Sequence, residues 1–569
     1  MSFQAPVKQE KAENKCATIS DSFFSRLDLA FSSIPEQSRI FISYQENPLR
    51  LRRYYPLTVL SHAEIPQNAL EILQSYETDR EKLCDALERI NLKCGASDAT
   101  LSNISLLRES DCVAVVTGQQ AGLFTGPLYS IYKTLTAIKL TECLKGRGIK
   151  AVPVFWVATE DHDFAEVASA FILDKTGKLK EIKNEPIGCY DRFPVGIVKL
   201  DETIKETIQN LFESLPQTSH SNDLREFIER CWTTGSYYGE AFAKMMLGLF
   251  GKYGLILLCP LDEELKRLAS PIYAHAIEKS DEIISALSLR NYELEREGFH
   301  VQVPIPENYF PIFWHSEDGR RHALKKVAEG EYQIKDGERK FTRDELIRIA
   351  KESPTQLSPS VILRPIVQDY LLPTVCYFGG AAEIAYFAQA ETIYRILKRP
   401  VTPILHRQSF TFVTPKQIKL LDKYKLKFED LFQGTEKILK RVVEKQISPD
   451  TAKLFAEVEE EINIQLNRLD QALVQIDVTL AENLAKRRRK ILYHIAALRN
   501  KFHRVQIQKN NTIRRQIESL FDALLPFEHL QERTLNISFF LNLYGFEFID
   551  WIYQAIDLDN KNHQVIYLR

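Results

Sequence analysis
The chain has 569 residues, 44% of them apolar, with a net charge of -2. That length exceeds the ~250–300 residues that one hydrophobic core sustains, so several domains are expected. The charge balance excludes bulk attraction to nucleic acid or an anionic membrane, and no apolar run reaches the ~20 residues of a membrane helix.

Residues 1–110 read as a mainly helical N-terminal region, with Ser2 to Ser20 as a mobile tail and no export signal in Met1 to Ala17. The nine cysteines form no C-x-x-C pair. They imply buried thiols in a reducing cytoplasm, not disulfides or zinc ligands. Residues 111–200 open with a strand–helix–strand unit: apolar Val113 to Val116, a glycine-rich turn, a helix from Pro127, and apolar Val152 to Ala158. Ala168 to Asp174 reads as a third strand, followed by a Thr176-Gly177-Lys178 turn.

Residues 201–253 read as a helical insertion. Residues 254–297 return to the core through Gly254 to Cys259 and a helix over Asp262 to Leu289, bent at Pro271. Residues 298–360 form a small β-rich insertion, with strands at Phe299 to Val303, Arg321 to Val327, Tyr332 to Lys335 and Lys340 to Thr342. Residues 361–413 complete the core with strands at Val361 to Val367, Thr374 to Phe378 and Thr402 to Leu405. Alternating strands and helices imply an α/β fold with a Rossmann-like parallel-sheet core and inserted connecting regions.

Residues 414–525 read as a long C-terminal helical coiled coil. Val458, Ile462, Leu466, Leu469, Leu473, Ile476 and Leu480 step by fours and threes. The pattern fits one helix of roughly 55 residues, about 80 Å long, or a hairpin turning near Ala481 to Leu484. Acids at Glu457 and Glu459 to Glu461, and bases at Lys486 to Lys490, complement each other in an antiparallel pairing, within one chain or between two. Residues 526–569 are a C-terminal segment expected to pack back on the core.

Chemistry gathers where strands end, as it does in open parallel sheets. Thr117, Gly118, Gln119, Gln120, Gly126, Pro127, Tyr129 and Lys133 surround the first turn. Its glycine spacing matches neither the dinucleotide fingerprint nor the P-loop. Free amides at the helix start would suit a carboxylate or phosphate; the alternative is that the glycines only permit close packing. Glu160, Asp161, His162 and Asp163 follow a strand too apolar to need them for packing. They suit a general base or an ammonium site; no further metal ligands are assignable, and no metal is expected. Arg364 offers a guanidinium for a carboxylate, with Asp369 close behind. Gly379, Gly380, Glu383 and Tyr386 repeat the strand–glycine–helix design, and His406 and Arg407 end the last strand.

Four long collinear blocks carry a resemblance: VVTGQQAGLFTGPLYSIYKTLTAIKL, PVFWVATEDHDFAEV, LRPIVQDYLLPTVCYFGGAAEIAYFAQ and LQERTLNISFFLNLYG. They resemble the bacillithiol synthase family. The resemblance implies a Rossmann-type core, a coiled coil that mediates homodimerisation, and a cysteine ligase joining L-cysteine to the amine of glucosaminyl-malate. Making an amide from a free carboxylate requires activation, most simply with ATP. The family is likened to ligases that use an H-x-G-H pair and a K-M-S-K-S loop, but here Thr125-Gly126-Pro127-Leu128-Tyr129 carries no histidine and no such lysine loop occurs. ATP or ADP use therefore stays open. Two readings of another kind also stay open: a nucleotide-binding dimeric scaffold without ligase activity, and a phosphoryl- or nucleotidyl-transfer enzyme.

Overall fold
A computed structural model of the chain describes residues 24–57, 61–188, 190–446, 449–509 and 511–568. The tail expected over Ser2 to Ser20 lies outside them. Five parallel strands form the central sheet among the described residues: β1 (Val113–Gln119), β2 (Ala151–Val157), β3 (Ile256–Leu258), β4 (Thr374–Gly379) and β5 (Ile404–His406). Their order is β3-β2-β1-β4-β5, with every pairing parallel. This is the Rossmann order. The chain reverses its winding between β1 and β4, and the crevice at their carboxyl ends is where such sheets bind ligands. Helix α1 (Tyr129–Lys145) joins β1 to β2, α2 (Glu263–Glu278) follows β3, and α3 (Ala381–Ile396) follows β4. All of β2 and all but the last residue of β1 are buried, which accounts for their unbroken apolar runs.

Several expected elements move. Ser169–Leu173 is a strand, but it pairs antiparallel with Leu179–Lys183 in a separate hairpin outside the central sheet. The helix expected over Asp262 to Leu289 runs through Pro271 but is not continuous to Leu289. It breaks at Lys279, before a helix over Ser280–Arg296, where the Ser280 hydroxyl meets the Tyr332 hydroxyl at 2.8 Å. Val361 to Val367 is not a strand: Arg364–Leu371 is helical, with Pro365 in the first turn, where its missing N–H costs nothing.

The inserted sheet runs antiparallel in the order Lys340–Thr342, Glu331–Ile334, Arg321–Ala328, Ile312–His315, Leu357–Pro359. Phe299 to Val303 is irregular, and Ile312–His315 takes its place as a strand. A second sheet binds the chain ends. His563–Leu568 lies between Phe24–Leu29, antiparallel, and Ser409–Val413, parallel. Ser409–Val413 is a strand that the sequence reading, which ends its strands at Leu405, does not separate out, and His563–Leu568 carries the C-terminal segment back onto it.

The coiled coil is a hairpin of α4 (Pro449–Val474) and α5 (Val478–Lys509). It turns at Gln475 to Asp477, before the expected Ala481 to Leu484. There the Leu473 carbonyl accepts from the amides of both Ile476 and Asp477, at 3.0 and 2.8 Å, which closes the helix. Acid meets base across the arms: Arg499 reaches Glu459 at 3.3 Å, and Arg488 donates to Asn463 and Asn467. Folding back thus pairs Glu459 with Arg499, which lies beyond the expected Lys486 to Lys490 run, whereas Arg488 of that run meets two asparagines.

Candidate functional site
A cavity of about 760 Å³ opens where β1, β2 and β4 end. Its floor depends on Gly118, where a Cβ would meet the Trp156 carbonyl oxygen at 2.8 Å, so only glycine lets β1 end this close to β2. Lys133, about one turn into α1, points back under that glycine and donates to the Gly118 carbonyl at 3.0 Å and to Gln119 Oε1 at 2.8 Å. It also pairs with Glu383 at the start of α3.

Glu383 accepts from the Tyr377 hydroxyl at 2.6 Å and from the Gly380 amide at 2.7 Å, so it caps α3 as well as facing the cavity. Burial opposes its charge, but Lys133, Tyr377 and the Gly380 amide outweigh burial and hold its carboxyl below the usual range. Burial pulls the Lys133 ammonium down in turn. The pair seals the β1–β4 crevice from below.

Arg364, from the helix after the inserted sheet, lines the same cavity. It donates to Gln368 Oε1 at 2.8 Å and to the Tyr386 hydroxyl at 3.1 Å, and it lies 5.2 Å from the centre of the Tyr377 ring. Among the described residues it has no carboxylate within ion-pair distance, so it is available to an anion.

The segment after β2 supplies the opposite wall. Gln120 donates through one amide nitrogen to Asp161, at 2.5 Å, and to Glu166, at 2.8 Å. The two carboxylates are thereby held together at the cavity edge. His162 lines the cavity, and its Nδ1 faces Arg321 Nη1 at 3.1 Å. Burial, then the Arg321 charge, hold its imidazole below its ordinary pKa against the pull of Asp161 and Asp163. Glu160 turns inward, buried against Lys266 of α2.

The expected residues do not all converge. Gly118, Gln119, Gln120, Tyr129, Lys133, Glu160, Asp161, His162, Arg364, Gly380, Glu383 and Tyr386 line the cavity. Thr117, Gly126, Pro127, Asp163, Asp369 and Gly379 do not. Thr117 bridges β1 to β4 by donating to the Phe378 carbonyl at 2.8 Å. Gly126 and Pro127 lie under the C-terminal segment: the Leu128 amide donates to the Leu535 carbonyl, and the Asn536 amide covers the carbonyls of Leu123, Phe124 and Gly126. The helix start expected to cradle an anion is therefore covered. Asp163 caps a short helix through the Glu166 amide, and Asp369 is enclosed by Gln368 and Tyr394. Gly379 lets Glu383 and Ile404 close over it.

Sequence reasoning missed Arg321, Lys266, Glu166 and Arg533. Arg321 and Lys266 sit on amphipathic elements whose charged residues look like any solvated face, and only the docking of the inserted sheet brings them inward. Arg407 does reach the cavity, gripped by buried Glu532 at 2.7 and 2.9 Å, whereas His406 is turned away between the rings of Phe31 and Phe41. Among the described residues no group of three or more His, Cys, Asp or Glu is gathered that could hold a metal ion.

Residues 27–408 match the N-terminal Rossmann-like domain of bacillithiol biosynthesis BshC, and residues 410–568 match its C-terminal coiled-coil domain. The chain belongs to the BshC family. Relatives provisionally named cysteine ligase BshC include one from Koribacter versatilis, 33% identical over 93% of this chain and 97% of its own length. Another, from Salinibacter ruber, is 35% identical over 86% of this chain and 89% of its own. A Campylobacter jejuni structure provisionally described as an arginyl-tRNA synthetase aligns with 11% identity and a TM-score of 0.22, over 81% of this chain and 98% of that one; this is too weak to carry an argument. In this BshC chain both matched domains contribute to the cavity, because Arg533 reaches it from the second.

Proposed function
We propose that this chain is the cysteine-adding ligase of bacillithiol biosynthesis, joining the carboxyl group of L-cysteine to the amine of glucosaminyl-malate. One observation supports the reading most. The cavity holds on one wall a guanidinium, Arg364, with no carboxylate in ion-pair distance among the described residues, and on the opposite wall two carboxylates gathered by Gln120, Asp161 and Glu166. Such a pair of poles suits a zwitterionic amino acid and an anionic, amine-bearing co-substrate in one chamber. Forming the C–N bond expels a carboxylate oxygen and releases one proton from the attacking neutral amine, so the oxygen must first become a leaving group. ATP is the activating co-substrate in this reading, with its anionic product bound on the arginines of the cavity and not at the covered glycine turn. The protein works as a homodimer through the α4–α5 hairpin.

Purified protein incubated with cysteine, glucosaminyl-malate and ATP should yield the amide, seen by mass spectrometry as the summed substrate masses less one water. No product in any arm sinks the ligase reading and favours the scaffold. Product in the arm without ATP moves activation elsewhere, and nucleotide turnover without the sugar substrate points to phosphoryl or nucleotidyl transfer.

A further inference from the structure
The inserted β-sheet reaches into the cavity at one point that bears on the chemistry. His162 Nδ1 lies 3.1 Å from Arg321 Nη1. A guanidinium carries five N–H donors and no acceptor, so Nδ1 must be the accepting nitrogen. A neutral imidazole with Nδ1 accepting carries its proton on Nε2. Arg321 is itself fixed and only 8% exposed. Its Nε donates to the Ser358 hydroxyl at 2.9 Å, its Nη2 donates to the Pro359 carbonyl at 2.9 Å, and its guanidinium lies 3.8 Å over the Phe313 ring. The His162 ring packs against the same phenyl group, with centroids 5.9 Å apart.

We infer that Arg321 holds His162 as its Nε2–H tautomer, so that His162 donates a hydrogen bond to an oxygen of the reacting carboxyl group and does not act as the base. The inference deepens the ligase reading and rests on it. In amide formation, negative charge develops on the carbonyl oxygen as the amine nitrogen attacks. A donor already aimed at that oxygen stabilises the transition state without reorganising. The amine proton leaves to the cavity carboxylates, because the one imidazole lone pair is already occupied. Arg321 is a positioning residue, and His162 is the group that touches the substrate.

The surrounding charges agree. Asp161, with Oδ1 3.9 Å from Nδ1, and Asp163 favour a protonated ring, whereas Arg321 and Arg192 disfavour it, and His315 adds a second imidazole from the inserted sheet. Burial acts with the arginines, and together they favour the neutral ring over the protonated one.

Two measurements on the full-length protein test the inference. Spectra of protein labelled with nitrogen-15 in histidine, with His162 assigned by difference from the His162→Gln variant, should show Nδ1 unprotonated and Nε2 protonated. Arg321→Met should mix the tautomers and raise the His162 pKa toward its unperturbed value of ~6.5. A protonated Nδ1 in the wild type overturns the inference. In the cysteine-addition assay, the glutamine side chain places an N–H close to Nε2 but cannot act as a base. His162→Gln should keep kcat within about tenfold of wild type, while His162→Ala should lose about 100-fold, the scale of one missing oxyanion donor. Equal losses in the two variants, with folding intact, also overturn it. If the wild type adds no cysteine, the ligase reading and the donor role built on it fall together, and the spectra still decide whether Arg321 sets the tautomer.

Discussion
Arg364 shows what a single residue can reveal before any fold is known. A guanidinium beside Pro365, in a segment otherwise apolar, signals an anion, and the structure places it on the cavity wall between Tyr377 and Tyr386. Its surroundings could not be read in the same way. The sequence places it within an expected strand, Val361 to Val367, whereas the residue sits in the first turn of a helix. Its hydrogen-bond partners are neutral, and the nearby Glu383 carboxylate keeps its own partner in Lys133, so removing the Arg364 charge leaves no orphaned carboxylate behind. Arg364→Met should therefore leave the urea midpoint nearly unchanged. A charged hydrogen bond contributes ~1.5–3 kcal/mol, so the KM for the substrate bound there should rise roughly 10- to 100-fold. Steady-state kinetics with each substrate varied in turn identifies which one Arg364 holds. A variant with every KM unchanged would remove Arg364 from binding.

Between elements, legibility depends on how far apart the partners lie in the chain. β1, α1 and β2 are contiguous, and their apolar runs and polar ends identify the unit and its functional edge. Asn536 carries no such signal, because the carbonyls it covers lie more than 400 residues earlier. Its two amide protons serve Leu123, Phe124 and Gly126, and its Oδ1 caps the next helix through the Ser538 amide at 2.9 Å. Asn536→Ala would leave buried carbonyls without donors. A cost of about 2 kcal/mol is expected, measurable as a lowered urea midpoint; an unchanged midpoint would show that water replaces the amide.

The sheet of chain ends makes a different prediction. His563 is wholly buried between the hydroxyls of Ser409, at 2.7 Å from Nδ1, and Thr411, at 2.9 Å from Nε2. Burial pushes its pKa down to about 4; neighbouring Glu532 opposes this and Arg407 adds to it. A histidine lowered on folding binds its proton more readily when unfolded, where its pKa is ~6.5. Its contribution is thus complete above pH ~6.5 and is lost as pH falls toward 4, amounting to about 3 kcal/mol. Urea midpoints measured across that window should fall, and His563→Gln should flatten that part of the profile. An unchanged slope in the variant would assign the acid limb to other groups.

At the scale of the molecule, the α4–α5 hairpin carries aligned apolar side chains that stay exposed among the described residues of one chain. Ile491, Leu498 and Val505 recur at seven-residue steps along α5 and are 38%, 60% and 38% exposed. Leu454, Val458 and Leu469 lie within about 60° of one another on α4, at 100° per residue, and are 57%, 37% and 47% exposed. The charges that could have paired two chains are partly spent within the hairpin, since Arg499 already meets Glu459. Association would therefore rest on the apolar stripes, as heptad seams do, and be insensitive to salt. Two copies packed along these stripes could bury the ~1,200 Å² or more that stable interfaces need. Sedimentation at micromolar concentration should give a dimer at both low and high salt, and Leu498→Asp should shift it to monomer while the core unfolds at the same urea concentration. A wild-type monomer, or a dimer that Leu498→Asp leaves intact, would rule the α5 stripe out as the contact.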